Sequence, residues 1–107
     1  MLNVSFTYLN SDRAAVKNTS LTISANTLTS IVGPSGAGKS TILDLILGLI
    51  EPETGEVLID NIPLKKSIDL YQNNISYVGQ NVFLKNDTIK SNICFGIDDN
   101  EIDHNKF

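Results

Sequence analysis

The chain has no tryptophan, one cysteine, one histidine and three prolines among 107 residues, and only 8 basic side chains against 12 acidic ones. Each shortage excludes something. A lone Cys94 rules out an intrachain disulfide, which fits a reducing compartment such as the cytoplasm, and reads as a small core residue. The net charge of -4 argues against a general polyanion binder, because nucleic-acid affinity rests largely on Lys and Arg neutralising phosphates. A single specific phosphate site stays open. The longest apolar stretch, Thr41 to Ile50 (TILDLILGLI), is about half the roughly 20 residues of a membrane-spanning helix and carries Asp44. The opening MLNVSFTYLN lacks the basic start, apolar run and small-residue cleavage site of a secretory leader. His104, alone in an acidic polar stretch, reads as solvated.

What is present fits one ordinary domain or a piece of one. Leu2, Val4, Phe6 and Tyr8 fall on alternate positions, the period of a half-buried strand. A polar loop is expected over Leu9–Asn18, then two β-prone runs, Ser20–Ser24 and Thr27–Val32. The second run feeds GPSGAG, where regular pairing must stop. Ser40–Ile50, apolar on nearly every face, predicts a helix sunk in the core, closed by Pro52 and Gly55. Glu56–Asp60 predicts a strand, Ser67–Asn73 a short helix capped by Ser67, Ile75–Val78 a further strand, and Thr88–Ile93 one or two helical turns. From Gly96 on, Asp98, Asp99, Glu101 and Asp103 stand against Lys106 alone, the pattern of a solvated acidic linker. Strands alternating with helices favour an α/β class.

Gly33, Pro34, Ser35, Gly36, Ala37, Gly38, Lys39 and Ser40 match the G-x-x-x-x-G-K-[ST] phosphate loop, with Thr41 next, between an expected strand and an expected helix. The glycines let successive N–H groups turn into one concavity, and the first helical turn adds the positive end of its dipole. Lys39 would reach the β- and γ-phosphates, and the Ser40 hydroxyl would ligate a Mg²⁺ bridging them.

Around that loop the residues resemble the ATP-binding domain of ABC transporters. Tyr8, ahead of the loop, corresponds to the aromatic that stacks on adenine in that family, a contact typically worth about 1 to 3 kcal/mol. Ile75-Ser76-Tyr77-Val78-Gly79-Gln80 is similar to the strand entering its Q-loop, so Gln80 takes the place of the glutamine that reaches the Mg²⁺ and the attacking water. Thr88-Ile89 followed by Asn92-Ile93 resembles the exporter version, where this run lies beside the coupling helices. Glu53–Asp60 resembles the strand after the phosphate-loop helix.

The resemblance implies a P-loop NTPase fold of the ABC ATPase type in incomplete form: the N-terminal antiparallel β part plus the start of the core sheet with its phosphate-loop helix. It implies ATP and Mg²⁺ as cofactors, catalytic roles for Lys39 and Gln80, metal contacts from Ser40 and Gln80, and nucleotide contacts from Tyr8 and residues 33–41. The implied partners are a transmembrane domain and a second ATP-binding domain, with no nucleic acid, at the cytoplasmic face of a membrane. Residues 1–107 form a partial domain in this reading, since the Leu-Ser-Gly-Gly-Gln signature, the Walker B strand and the switch histidine do not occur in them. Asp60 ends an apolar run but precedes Asn61, where a base is required, and reads as a strand and turn. Asp98-Asp99 follow a run broken by Gly96, and His104 comes in the wrong order for the switch. The expected outcome is nucleotide binding without hydrolysis, with apolar surface left exposed. Three alternatives stay open: a different phosphate-loop enzyme such as a kinase or GTPase, a non-transport ABC ATPase, and a remnant that no longer binds nucleotide.

Overall fold

The computed structural model describes residues 1–102, in two compact units, Met1–Ser76 and the stretch from Tyr77 on. In the first unit, alternation gives strand β1 (Leu2–Phe6) an inner face: Val4 has no exposed surface, and Phe6 is half-buried. Leu2 departs from the alternation and is exposed. Asn3 adopts a left-handed backbone (φ 51), a conformation asparagine tolerates better than most residues, and the pairing register shifts between Leu2 and Ser5.

β1 lies between β2 (Val16–Thr19) and β3 (Thr54–Glu56), antiparallel to both. The loop expected to run to Asn18 therefore ends earlier: Val16 is buried and pairs with Phe6, which draws its segment into the sheet. The single strand expected over Glu56–Asp60 is divided at buried Val57, whose carbonyl accepts a bond from the Leu64 N–H at 2.9 Å. Beyond it, β4 (Leu58–Ile59) and β5 (Ile62–Pro63) form a hairpin. Its two turn residues, Asp60 (φ 50) and Asn61 (φ 65), hold the left-handed pair that a two-residue type I′ turn requires. The strand-and-turn reading of Asp60 holds.

Helix α1 (Lys39–Ile46) stops short of the expected Ile50, because Gly48 takes a positive φ of 70 and leaves the helical path. Within α1 only Thr41 and Leu45 are buried, so the helix lies on the core by one face and is not enclosed. Met1, Val4, Val16, Leu45, Val57 and Leu64 make that core, with Phe6, Ile42, Ile46 and Ile68 packed against it. A 3₁₀ turn, Leu64–Lys66, leads into α2 (Ile68–Gln72). Ser67 sits at the N-cap of α2 but its hydroxyl makes no capping bond. The 3₁₀ turn closes on the Ser67 N–H at 3.0 Å and sets ψ near 22, outside the extended conformation from which a cap side chain reaches the helix amides.

Three expected strands are not formed among the described residues: Ser20–Ser24, Thr27–Val32 and Ile75–Val78. A strand exists only as part of a ladder. Leu21 exchanges two main-chain bonds with Met1, and no strand lies beside Thr27–Val32. The antiparallel part of the expected architecture is thus present, while core-sheet pairing is not formed within residues 1–102.

In the second unit, α3 (Ile89–Ile93) is capped by Thr88, whose hydroxyl accepts from the Ser91 N–H at 3.1 Å. Cys94 is buried, as a small core residue would be. A 3₁₀ turn spans Asp99–Glu101. Asp103, His104 and Lys106 lie outside the described residues. No helix among the described residues is long and apolar enough to cross a membrane.

Candidate functional site

Gly33–Gly38 form an irregular loop, exposed as far as Ala37, that enters α1 directly. Gly36 (φ 76) and Gly38 (φ 83) take left-handed conformations, and at Gly38 a side chain would also run into the Ala15 carbonyl. Glycine is required there twice over, by backbone angle and by space. Gly38 is the N-cap of α1; no side chain caps the helix and no acid sits in its first turn. The N–H groups that every helix start leaves unpaired therefore meet no competing carboxylate, and the dipole favours an anion beside them.

Lys39 arches back over the loop, its ammonium donating to the carbonyls of Gly33 (2.9 Å) and Pro34 (2.7 Å). One positive charge is thereby held against the loop. Ser40 is exposed, while the next residue, Thr41, is buried. Successive residues on a helix face different ways, so one hydroxyl is open to solvent and the other turns to the interior.

Tyr8 stands beyond the end of β1. Its hydroxyl lies 3.2 Å from Thr41 Oγ1, and its ring meets Phe6 edge-on, centroids 5.0 Å apart at 90°. The preceding residue is tethered too: the Thr7 N–H and hydroxyl each donate to one oxygen of the Glu53 carboxylate at 3.2 Å. Glu53 is fixed by its own N–H, which donates to Ser5 O at 2.9 Å.

The fold thus gathers Tyr8 and residues 33–41 in the first unit, with Tyr8 against the first turn of α1. Gln80 belongs to the second unit, exposed on irregular backbone. Phe6, Ala15 and Glu53 also shape the site, and sequence reasoning did not assign them to it. Phe6 was detectable, since it shares the alternation that ends at Tyr8. Ala15 and Glu53 act through contacts distant in sequence, for which no local pattern exists.

A family model described as ABC transporter matches residues 16–106, so Tyr8 lies ahead of the matched stretch. The chain is 40% identical over 94 residues to an ATP-dependent lipid A-core flippase of Wigglesworthia glossinidia brevipalpis, covering 87% of this chain and 16% of that protein. It is 46% identical over 95 residues to the mitochondrial iron-sulfur clusters transporter ATM1 of Saccharomyces cerevisiae, covering 88% and 14%. With the chloroplastic ABC transporter B family member 26 of Arabidopsis thaliana it shares 41% over 101 residues, covering 92% and 14%. The chain therefore spans about a seventh of the length of these relatives.

Proposed function

Because the chain belongs to the ABC transporter family, matching it over residues 16–106, we propose that it binds Mg²⁺·ATP at residues 33–41 as part of an exporter-type ATP-binding domain. The observation that carries this is the arrangement at the head of α1: an uncapped helix start without acidic residues, under the Lys39 ammonium. These residues suit a triphosphate, since main-chain N–H groups and one cation can share its charge in a site open to solvent. The exposed Ser40 hydroxyl is a hard oxygen donor of the kind Mg²⁺ takes together with phosphate oxygens. Bound there, Mg²⁺ would supply charge neutralisation across the β- and γ-phosphates.

In this reading Lys39 leaves its two carbonyl partners for the β- and γ-phosphates, and Tyr8 supports the adenine. Gln80 serves as the glutamine that meets the metal and the attacking water when the whole domain is assembled. The further roles belong to the larger protein: pairing with a second ATP-binding domain, coupling to a transmembrane domain, and work at the cytoplasmic face of a membrane. They are supported by relatives whose names describe a flippase and transporters. Residues 1–107 carry neither the signature nor the Walker B carboxylates, so this chain by itself is expected to bind without turnover.

Calorimetric titration with Mg²⁺·ATP tests the reading. The chain should bind, Lys39→Ala should weaken binding at least tenfold, and phosphate release should stay at background. Absence of heat with both proteins overturns the proposal and leaves a remnant that no longer takes nucleotide.

A further inference from the structure

Thr41 is 5% exposed, and its hydroxyl has one side-chain partner among the described residues, the Tyr8 hydroxyl at 3.2 Å. A buried hydroxyl is costly unless bonded, so this pair is satisfied by mutual contact. Tyr8 itself is 44% exposed, so the residue is not sealed off from a ligand. Its orientation is set at two points, by the edge-on contact with Phe6 and by the hydroxyl anchored on α1. An aromatic side chain has two torsions to fix, and these two contacts restrain both.

We infer that Thr41 is a positioning residue for the base: its side chain holds the Tyr8 ring in the plane on which adenine stacks, and it meets the phosphates through its main-chain N–H alone. Residues of one helical turn then set both ends of the nucleotide. Lys39 and Ser40 face the triphosphate, while Thr41 fixes the distance and tilt of the ring that receives the base. Stacking depends on the plane being ready before binding, because a ring that must be ordered on contact gives back part of the gain as lost rotamer freedom. The inference rests on the reading of residues 33–41 as a triphosphate site, and it divides the two hydroxyls of that turn between two tasks.

The test separates base from phosphates by titrating the chain with Mg²⁺·ATP and with Mg²⁺ and inorganic tripolyphosphate. Thr41→Val and Tyr8→Phe should each weaken ATP about three- to tenfold, the range for losing one hydrogen bond. The double variant should be no weaker than either single one, and Thr41→Ser, which keeps the hydroxyl, should restore binding. Tripolyphosphate affinity should stay within about twofold throughout. Tyr8→Phe removes one oxygen from a half-exposed ring, so it reports even if Thr41→Val unfolds. Equal losses for ATP and tripolyphosphate in Thr41→Val would make Thr41 a phosphate ligand and overturn the inference. Unchanged ATP affinity in Tyr8→Phe, or effects of the two substitutions that multiply, would overturn it as well. A chain that binds tripolyphosphate as tightly as ATP loses the inference but keeps the phosphate site; one that binds neither loses both.

Discussion

At the scale of the residue, Gly36 and Gly38 show how far a motif can be read without coordinates. Both hold left-handed backbones, and both cost strain on substitution, roughly 1 to 3 kcal/mol for a non-glycine residue in such a conformation. They differ in their surroundings. A methyl group at Gly36 would meet nothing within 4 Å, whereas at Gly38 it would strike the Ala15 carbonyl. Gly38→Ala should therefore lower the urea midpoint clearly more than Gly36→Ala, with a larger loss of Mg²⁺·ATP affinity, since the collision lies at the first turn of α1. Equal midpoints for the two variants would mean that the segment before β2 yields freely and does not brace the loop. The motif named both glycines; only the packing ranks them.

At the scale of the element, the start of α3 is held by side chains of its own segment. Thr88 caps it, and the carboxylate of Asp87 accepts from the Thr88 N–H (2.7 Å) and the Ser91 hydroxyl (3.1 Å) while pairing with Lys85 at 2.9 Å. Asn92 reaches back to the carbonyls of Lys85 (3.0 Å) and Thr88 (2.9 Å). The Lys85 ammonium beside it, then the two hydrogen bonds, hold the Asp87 carboxyl below its ordinary 3.8, at about 2. A carboxylate depressed in the folded state adds stability that is complete above its unfolded value and is lost as pH falls through the folded one. The Asp87 side chain and the Thr88 amide, followed by NMR, should thus titrate near pH 2, and the stability that Asp87 adds should decline as pH falls from about 4 toward 2. Lys85→Ala should move the midpoint upward; a midpoint near 3.8 in the unsubstituted chain would show that the cluster does not form in solution.

At the scale of the whole molecule, the first unit has a small core, and large apolar side chains stand in water in both units. Leu28 is 99% exposed and Phe83 82%, and Val32, Val78, Ile89 and Phe95 are also well exposed. Apolar surface on this scale marks contact with a partner or a liability to aggregate. A net charge of -4 gives modest repulsion against that. The isolated chain should show an apparent mass that rises with concentration in sedimentation velocity, together with strong binding of an apolar dye. A concentration-independent monomer with a cooperative, reversible thermal transition would contradict this.

The elements read correctly from sequence are those set by near neighbours. The irregular glycine-bearing loop at 33–38, the start of α1 after it, the Asp60-Asn61 turn and the Thr88 start of α3 all depend on residues a few positions apart, where backbone angle and spacing decide the outcome. The misread segments are those whose state depends on distant partners. Thr27–Val32 and Ile75–Val78 have the composition of strands but no ladder to join among the described residues, whereas Val16 is drawn into the sheet by Phe6. The site divides the same way. Sequence by itself marked residues 33–40 as the loop proposed to grip a triphosphate, because such a grip is built from consecutive main-chain N–H groups and one lysine. Tertiary structure alone decided that Tyr8 meets Thr41, that Glu53 holds Thr7 and that Ala15 closes on Gly38. Those contacts join segments far apart along the chain, and only packing brings them within reach.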